Sequence, residues 1–322
     1  MTRTAILLLS LFTALTPLAA QAGDEKPADE TPRTAEQIAA EKRAEALLRE
    51  VDSRIWYGGR EGIEDIQFDW KIEAHGAIAD VLDGYYLRYA WKKPDLWITG
   101  LVDRDGKDAA PPKAFENESG RAILHSLSEN LNALARQVIV GIPLEELYAD
   151  YRKEVRSREV NNKLEHRVIM RPLAKKRYTE VSVRIIDGLP RELKKTTPEG
   201  EVVVIRLLFE KRGEKYLMTS AKFEERNRLV SQDVYRYTKR DDLHLLASVE
   251  RLIDQAEAER LQQPVKQVLR LERVRVNSGL RDEQFGVTPA EEKKPAEGGE
   301  KGEGTPAPEK RDQDDEAGKK GD

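Results

Sequence analysis

The sequence predicts an α+β protein built on a curved antiparallel sheet, an open half-barrel with helices covering its concave side. Three observations carry that prediction. Between residues 178 and 225 the chain alternates apolar and polar residues in several runs joined by short turns, the period of strands with one buried face. Two earlier runs rich in aromatic residues show the same period. Before and between the strand runs, apolar residues recur at helical spacing, which supplies faces that need a sheet to lie on.

Thr34 followed by Gln37 forms a capping box, and Ala44, Leu47, Leu48, Val51 and Ile55 then recur as one stripe, so the body opens with an amphipathic helix. Ile66, Phe68, Trp70 and Ile72 alternate with Gln67, Asp69, Lys71 and Glu73, a strand with one wet face. Tyr85, Leu87, Tyr89 and Trp91 repeat the pattern, Pro94 ends the run, and residues 96–102 provide its successor. Leu124, Leu127, Leu131, Leu134 and Val138 make a helical stripe behind a cap at Asn117, and Pro143 opens a further helix carrying Leu144, Leu147, Tyr148 and Tyr151.

Strands resume over residues 164–170 and continue through Val181, Val183 and Ile185, then Val202, Val204 and Leu208, then Tyr216 and Met218. Asp187-Gly188 and residues 198–200 supply turns. A short strand is expected over 234–237. Leu245, Val249, Leu252 and Ala256 predict an amphipathic helix from near Asp241, where Asp241 and Asp242 cap it, to just before Pro264. The last strand pattern, Leu269 and Leu271 with Val274 and Val276, changes phase at Glu272 and Arg273 as a β-bulge would require.

The two ends have a different character. Residues 1–22 show a basic start at Arg3, a short apolar run and the small-residue pattern Ala20-Gln21-Ala22, the layout of a cleavable signal peptide. Residues 23–33 read as a linker, 34–280 as a single domain, and 286–322 as a charged segment that cannot offset its ordering entropy by burial and is expected to be disordered. The expected location is the periplasm or the medium, and an integral membrane protein is not expected. The chain has no cysteine, so there is no disulfide framework, thiolate metal site or cysteine nucleophile. Lys plus Arg number 55 against 59 Asp plus Glu, a near balance that gives nucleic-acid binding no support.

Two local patterns and the order of elements resemble the periplasmic lipoprotein-carrier (LolA-like) family over about residues 34–225. One is Tyr89-Ala90-Trp91-Lys92-Lys93-Pro94-Asp95-Leu96-Trp97, similar to the family's strand that ends in a basic residue and proline before a second strand. The other is Asp187-Gly188-Leu189-Pro190-Arg191-Glu192-Leu193 followed by Glu199-Gly200, similar to its late hairpin. The resemblance implies a half-barrel whose concave apolar face holds acyl chains under a helical lid, with a lipid or lipidated protein as the partner. Envelope sensors share that fold, so the fold does not settle the function. The segment after Asp241, the strand ending near Val276 and the charged tail depart from the simple carriers.

The residues themselves point to binding rather than chemistry. Phe68, Trp70, Tyr89, Trp91, Val183, Ile185, Val204 and Met218 are the candidates for a cavity lining, and the alternative is a closed core in a protein-interaction or envelope-sensor domain. No catalytic residue, cofactor or metal site is expected: His75, His125, His166 and His244 are scattered, and no nucleophile elbow, phosphate-binding loop or dinucleotide fingerprint is present. Arg152, Lys153, Arg156, Arg158, Lys163, Arg167, Arg171, Lys175, Lys176 and Arg177 make the middle of the chain basic. They form either a patch for lipid phosphates, lipoprotein partners or an anionic wall polymer, or a solvated face with Glu154, Glu159 and Glu165 interleaved.

Overall fold

The computed structural model describes residues 34–73, 80–261 and 264–286. The expected signal peptide, linker and tail beyond Gly286 lie outside the described residues, as does His75. Within them, the chain is α+β and dominated by one antiparallel sheet of twelve strands that does not close into a barrel. The first strands are β1 (Asp65–Glu73), β2 (Tyr85–Lys92) and β3 (Leu96–Asp103). Eight more follow as a run of hairpins: β4 (Tyr151–Val160), β5 (Lys163–Pro172), β6 (Glu180–Ile186), β7 (Leu189–Thr196), β8 (Val202–Arg212), β9 (Lys215–Glu225), β10 (Arg228–Arg240) and β11 (Leu243–Ile253). β12 (Lys266–Val276) then pairs with both β11 and β1, giving the order β3-β2-β1-β12-β11-β10-β9-β8-β7-β6-β5-β4.

Turn chemistry sets this meander. Asn161-Asn162, Asp187-Gly188 and Arg226-Asn227 have positive φ at both positions, the two-residue turn whose twist matches that of the strands it joins. The bulge expected near Glu272 and Arg273 is present: the β1–β12 register shifts between Gln67 and Asp69, and Arg273 has φ 52°.

Helix α1 (Ala35–Arg54) starts at the Thr34–Gln37 capping box and buries Ala44, Leu48 and Val51, packing on β4 and β7. Helix α2 (Glu118–Ala135), capped by the Asn117 side chain, runs into a π-helical turn (Arg136–Val140) that packs on β11, and the four-residue helix α3 (Leu144–Leu147) packs on α1. Directly opposed residues Val168, Val183, Leu193 and Ile205 place one face of the second half of the sheet in the core, and Phe68, Trp70, Leu87 and Tyr89 do the same in the first. Among the described residues no helix is long and apolar enough to cross a membrane.

Several expectations are corrected. Residues 243–253 are strand β11 rather than helix; only Gln255–Leu261 (α4) is helical, and Asp241-Asp242 form the tip of the β10–β11 hairpin instead of a helix cap. The short strand expected over 234–237 is the middle of a 13-residue strand. Tyr151 begins β4 rather than extending a helical face, because α3 stops at Leu147. The opposite face of β1 is not uniformly wet. Asp69 is fully buried there, bonded by Arg88 at 2.8 and 3.1 Å and by Arg273, while Gly106 and Arg104 of the loop after β3 accept from the same two arginines.

Candidate ligand-binding seam

The sheet's core face meets the non-strand segments along a seam, and the local sequence explains how it is held. After α1 the chain enters the sheet directly: Ile55 forms a parallel bridge with Tyr216, and the Trp56 N–H donates to the Tyr216 carbonyl at 3.0 Å. Gly59 N–H donates to the Val140 carbonyl at 2.8 Å, tying this segment to the π-helical turn. Gly141, at φ 73°, allows the turn to lie against Tyr57; a Cβ there would stand 2.5 Å from the Tyr57 ring.

Asp52 locks the same junction. Its buried carboxylate accepts from the Tyr57 hydroxyl at 2.7 Å and from the Leu144 and Glu145 N–H groups at 3.0 and 2.9 Å, so a side chain of α1 satisfies the first-turn donors of α3. Burial raises the Asp52 pKa above its ordinary value, against the opposing pull of the Glu145 and Leu144 N–H groups, Tyr57 and Arg60. Burial, followed by the Asp52 charge, holds the Tyr57 hydroxyl well above the usual tyrosine range. Sequence reading missed this latch. Its only signal was an acidic residue one position after Val51 on the buried stripe, and the two α3 donors it satisfies lie more than 90 residues away.

Between the locked segment and strands β7 to β10 lies an apolar cleft of about 80 Å³. Trp56, Val138 and Leu147 border it from the helical side, and Leu207, Phe209 and Met218 from the sheet. The Tyr237 hydroxyl, at its edge, donates to the Met218 carbonyl at 3.0 Å. A second position on the seam lies under α2, where Trp70, Tyr89 and Asn132 surround a gap too small for a water molecule. There Trp70 Nε1, the Tyr89 hydroxyl and Asn132 Oδ1 are buried with no hydrogen-bond partner among the described residues, and burial raises the Tyr89 pKa.

The sequence candidates distribute unevenly over this geometry. Phe68, Trp70, Tyr89 and Trp91 sit together on the core face of β1 and β2, with Phe68 edge-on to Trp70 at 5.1 Å between ring centroids. Val183 and Ile185 are fully buried in β6, away from the cleft, and Met218 lines the cleft itself. Val204 is a correction: strand alternation puts it on the face of Arg206, and Ile205 and Leu207 take the core positions.

The histidines serve local contacts. His166 Nδ1 lies 2.7 Å from the Ser157 hydroxyl, and His244 stands edge-on to Trp56 at 6.0 Å between ring centroids. Burial, then Lys239 and Arg212, lowers the His244 pKa. Among the described residues no three His, Asp or Glu side chains gather as metal ligands. Comparison with protein-family models finds no match, and comparison with curated proteins finds none either.

Proposed function

We propose that this chain is a non-catalytic envelope protein, exported by its N-terminal signal, that binds a lipid or lipidated partner along the seam between the sheet and its helical segments. In this reading the sheet acts as an open half-barrel of the lipoprotein-carrier type, with α1 and α2 as the movable cover. The apolar cleft at Trp56, Leu207 and Met218 carries the proposal, because it lies where segments from distant parts of the chain meet the sheet. Its 80 Å³ falls below the roughly 300–1,000 Å³ of drug-sized ligand pockets. An acyl chain therefore enters only if the cover moves, and the buried unpaired polar atoms under α2 mark a place where closed packing is imperfect. Affinity would come from apolar burial, about 0.8 kcal/mol per methylene.

A specific observation favours a second reading. Phe68, Trp70, Tyr89, Val183 and Ile185 are each 0–1% exposed, as expected of a filled core in a protein-interaction or envelope-sensor domain. Native mass spectrometry of protein purified from the envelope, with lipid extraction and displacement of an apolar fluorescent probe, separates the two. A stoichiometric lipid that competes with the probe supports the carrier reading. Empty protein that also fails to take up the probe leaves the interaction domain.

A further inference from the structure

The face of the sheet opposite the core carries a row of arginines across three adjacent strands. Arg156 of β4 stands directly opposite Arg167 of β5, and Arg167 directly opposite Arg184 of β6. Side chains so placed start about 5 Å apart, and like charges in that position repel. Within the row Arg156 is paired with Glu154 at 2.7 Å, and the arginines beside the row are paired as well, Arg158 with Glu165 at 2.7 Å and Arg171 with Glu180 at 2.9 Å. Arg184 is held more loosely, 3.7 Å from Glu165 and 4.0 Å from Glu192, and its Nε has no hydrogen-bond partner among the described residues. Arg167, at the centre of the row, makes no ion pair with a described residue, nor does Lys194 on β7.

Arg167 and Lys194 both line a groove of about 380 Å³ across β4 to β7, with Ser182 between their strands; the carboxylates of Glu165 and Glu180 also line it, paired with Arg158 and Arg171. We infer that this groove binds a phosphate-type oxyanion carrying at least two negative charges. Two cations without described counterions match such a charge. The planar guanidinium of Arg167 supplies paired donors and Lys194 a point charge, and a bound dianion would also relieve the repulsion within the arginine row. This site is separate from the apolar seam, because strand alternation puts it on the other face of the sheet. The oxyanion could belong to a soluble phosphate compound or to a lipid headgroup.

The test uses the full chain at low ionic strength, with inorganic pyrophosphate followed by titration calorimetry and vesicles of phosphatidylcholine with and without phosphatidic acid followed by co-sedimentation. Arg167→Gln and, independently, Lys194→Gln are expected to weaken binding about tenfold or more, the effect of losing one charge-assisted contact. Arg212→Gln, which removes an arginine paired with Glu210 at 3.0 Å elsewhere on the sheet, is expected to change it less than twofold. Pyrophosphate should raise the melting temperature of the wild type and not that of Arg167→Gln. Binding of pyrophosphate alone identifies a soluble ligand, and binding confined to phosphatidic acid vesicles identifies a headgroup; either supports the site. Failure of both ligands, or equal losses in the Arg167 and Arg212 variants, overturns it.

Discussion

The β8–β9 and β10–β11 hairpins are neighbours in one sheet and each carries a bulge, yet their core faces are built differently. In β8–β9 the core positions are Ile205 and Leu207 opposite Phe223 and Ala221. In β10–β11 the register sets Asp233 opposite Arg251, joined by two hydrogen bonds of 2.6 Å and both buried, in a row that continues from Ala221 to Gln267. Hence a charged residue can be a core residue when its counterion stands on the next strand. That arrangement belongs to the pairing rather than to either strand, and no periodicity in one segment announces it.

The largest expected effect breaks this pair. Asp233→Ala leaves the Arg251 guanidinium in the core without its carboxylate, and urea unfolding is expected to show a loss of about 3–5 kcal/mol. Asp233→Leu combined with Arg251→Met is expected to recover most of that stability, since well-packed apolar replacements of buried pairs are often neutral or better. A loss below about 1 kcal/mol in the single variant would mean that water reaches the pair.

The next effect concerns a buried charge outside the ion-paired hairpin. Lys195, on the core face of β7, is 4% exposed, its cross-strand neighbours are Val181 and Val203, and its ammonium lies 5.2 Å from the Tyr178 ring centre. Burial, reinforced by Arg177, pushes its pKa down to about 7. Between about 7 and the ordinary lysine value near 10.5 the unfolded chain binds a proton that the folded chain does not. Stability from this group therefore rises with pH across that window and is lowest below it. Lys195→Met is expected to stabilise the protein by a few kcal/mol at pH 6 and little at pH 10. Parallel pH profiles for the two proteins would contradict this.

These charges also show what was legible beforehand. The helix caps at Thr34 and Asn117, the turn at Asp187-Gly188, the aromatic strands and the bulge near Arg273 are local in sequence, and local rules found them. β11 was misread because Leu245, Val249 and Leu252 are spaced as a helical stripe, whereas the strand turns Leu252 to the exposed face, and Arg251 on the buried face beside Val249 looks like a wet position until Asp233 is placed opposite it. Asp52 and Asp69 failed for the same reason: their partners, Leu144 and Arg273, are 92 and 204 residues away. On the candidate seam the aromatic residues of β1 and β2 were legible as a group, whereas Val204 was misplaced because strand alternation does not say which face is inward.

A smaller effect tests the apolar hairpin. Ile205→Val removes one methyl group from a fully buried site flanked by Leu193 and Phe223, and a loss of about 0.5–1.5 kcal/mol is expected. The contrast with Asp233→Ala is the useful quantity: an apolar core position tolerates trimming, and half of an ion pair does not. Equal losses would mean that the charged row is packed no more tightly than its apolar neighbour.

The smallest effect lies in the turn that joins the two hairpins. Arg226 and Asn227 occupy φ 50° and 62°, a region that costs most L-residues roughly 1–2 kcal/mol and that asparagine tolerates better. The ion pair of Arg226 with Glu201 at 2.9 Å joins side chains that are 83% and 60% exposed, so losing it should matter little. Arg226→Asn is accordingly expected to raise stability by about 0.5 kcal/mol, visible as a higher urea midpoint at unchanged slope. The Arg226-Asn227 turn would then match the Asn161-Asn162 turn in composition as it already does in backbone. A lower midpoint would instead assign the arginine a holding role at this turn that outweighs its backbone cost.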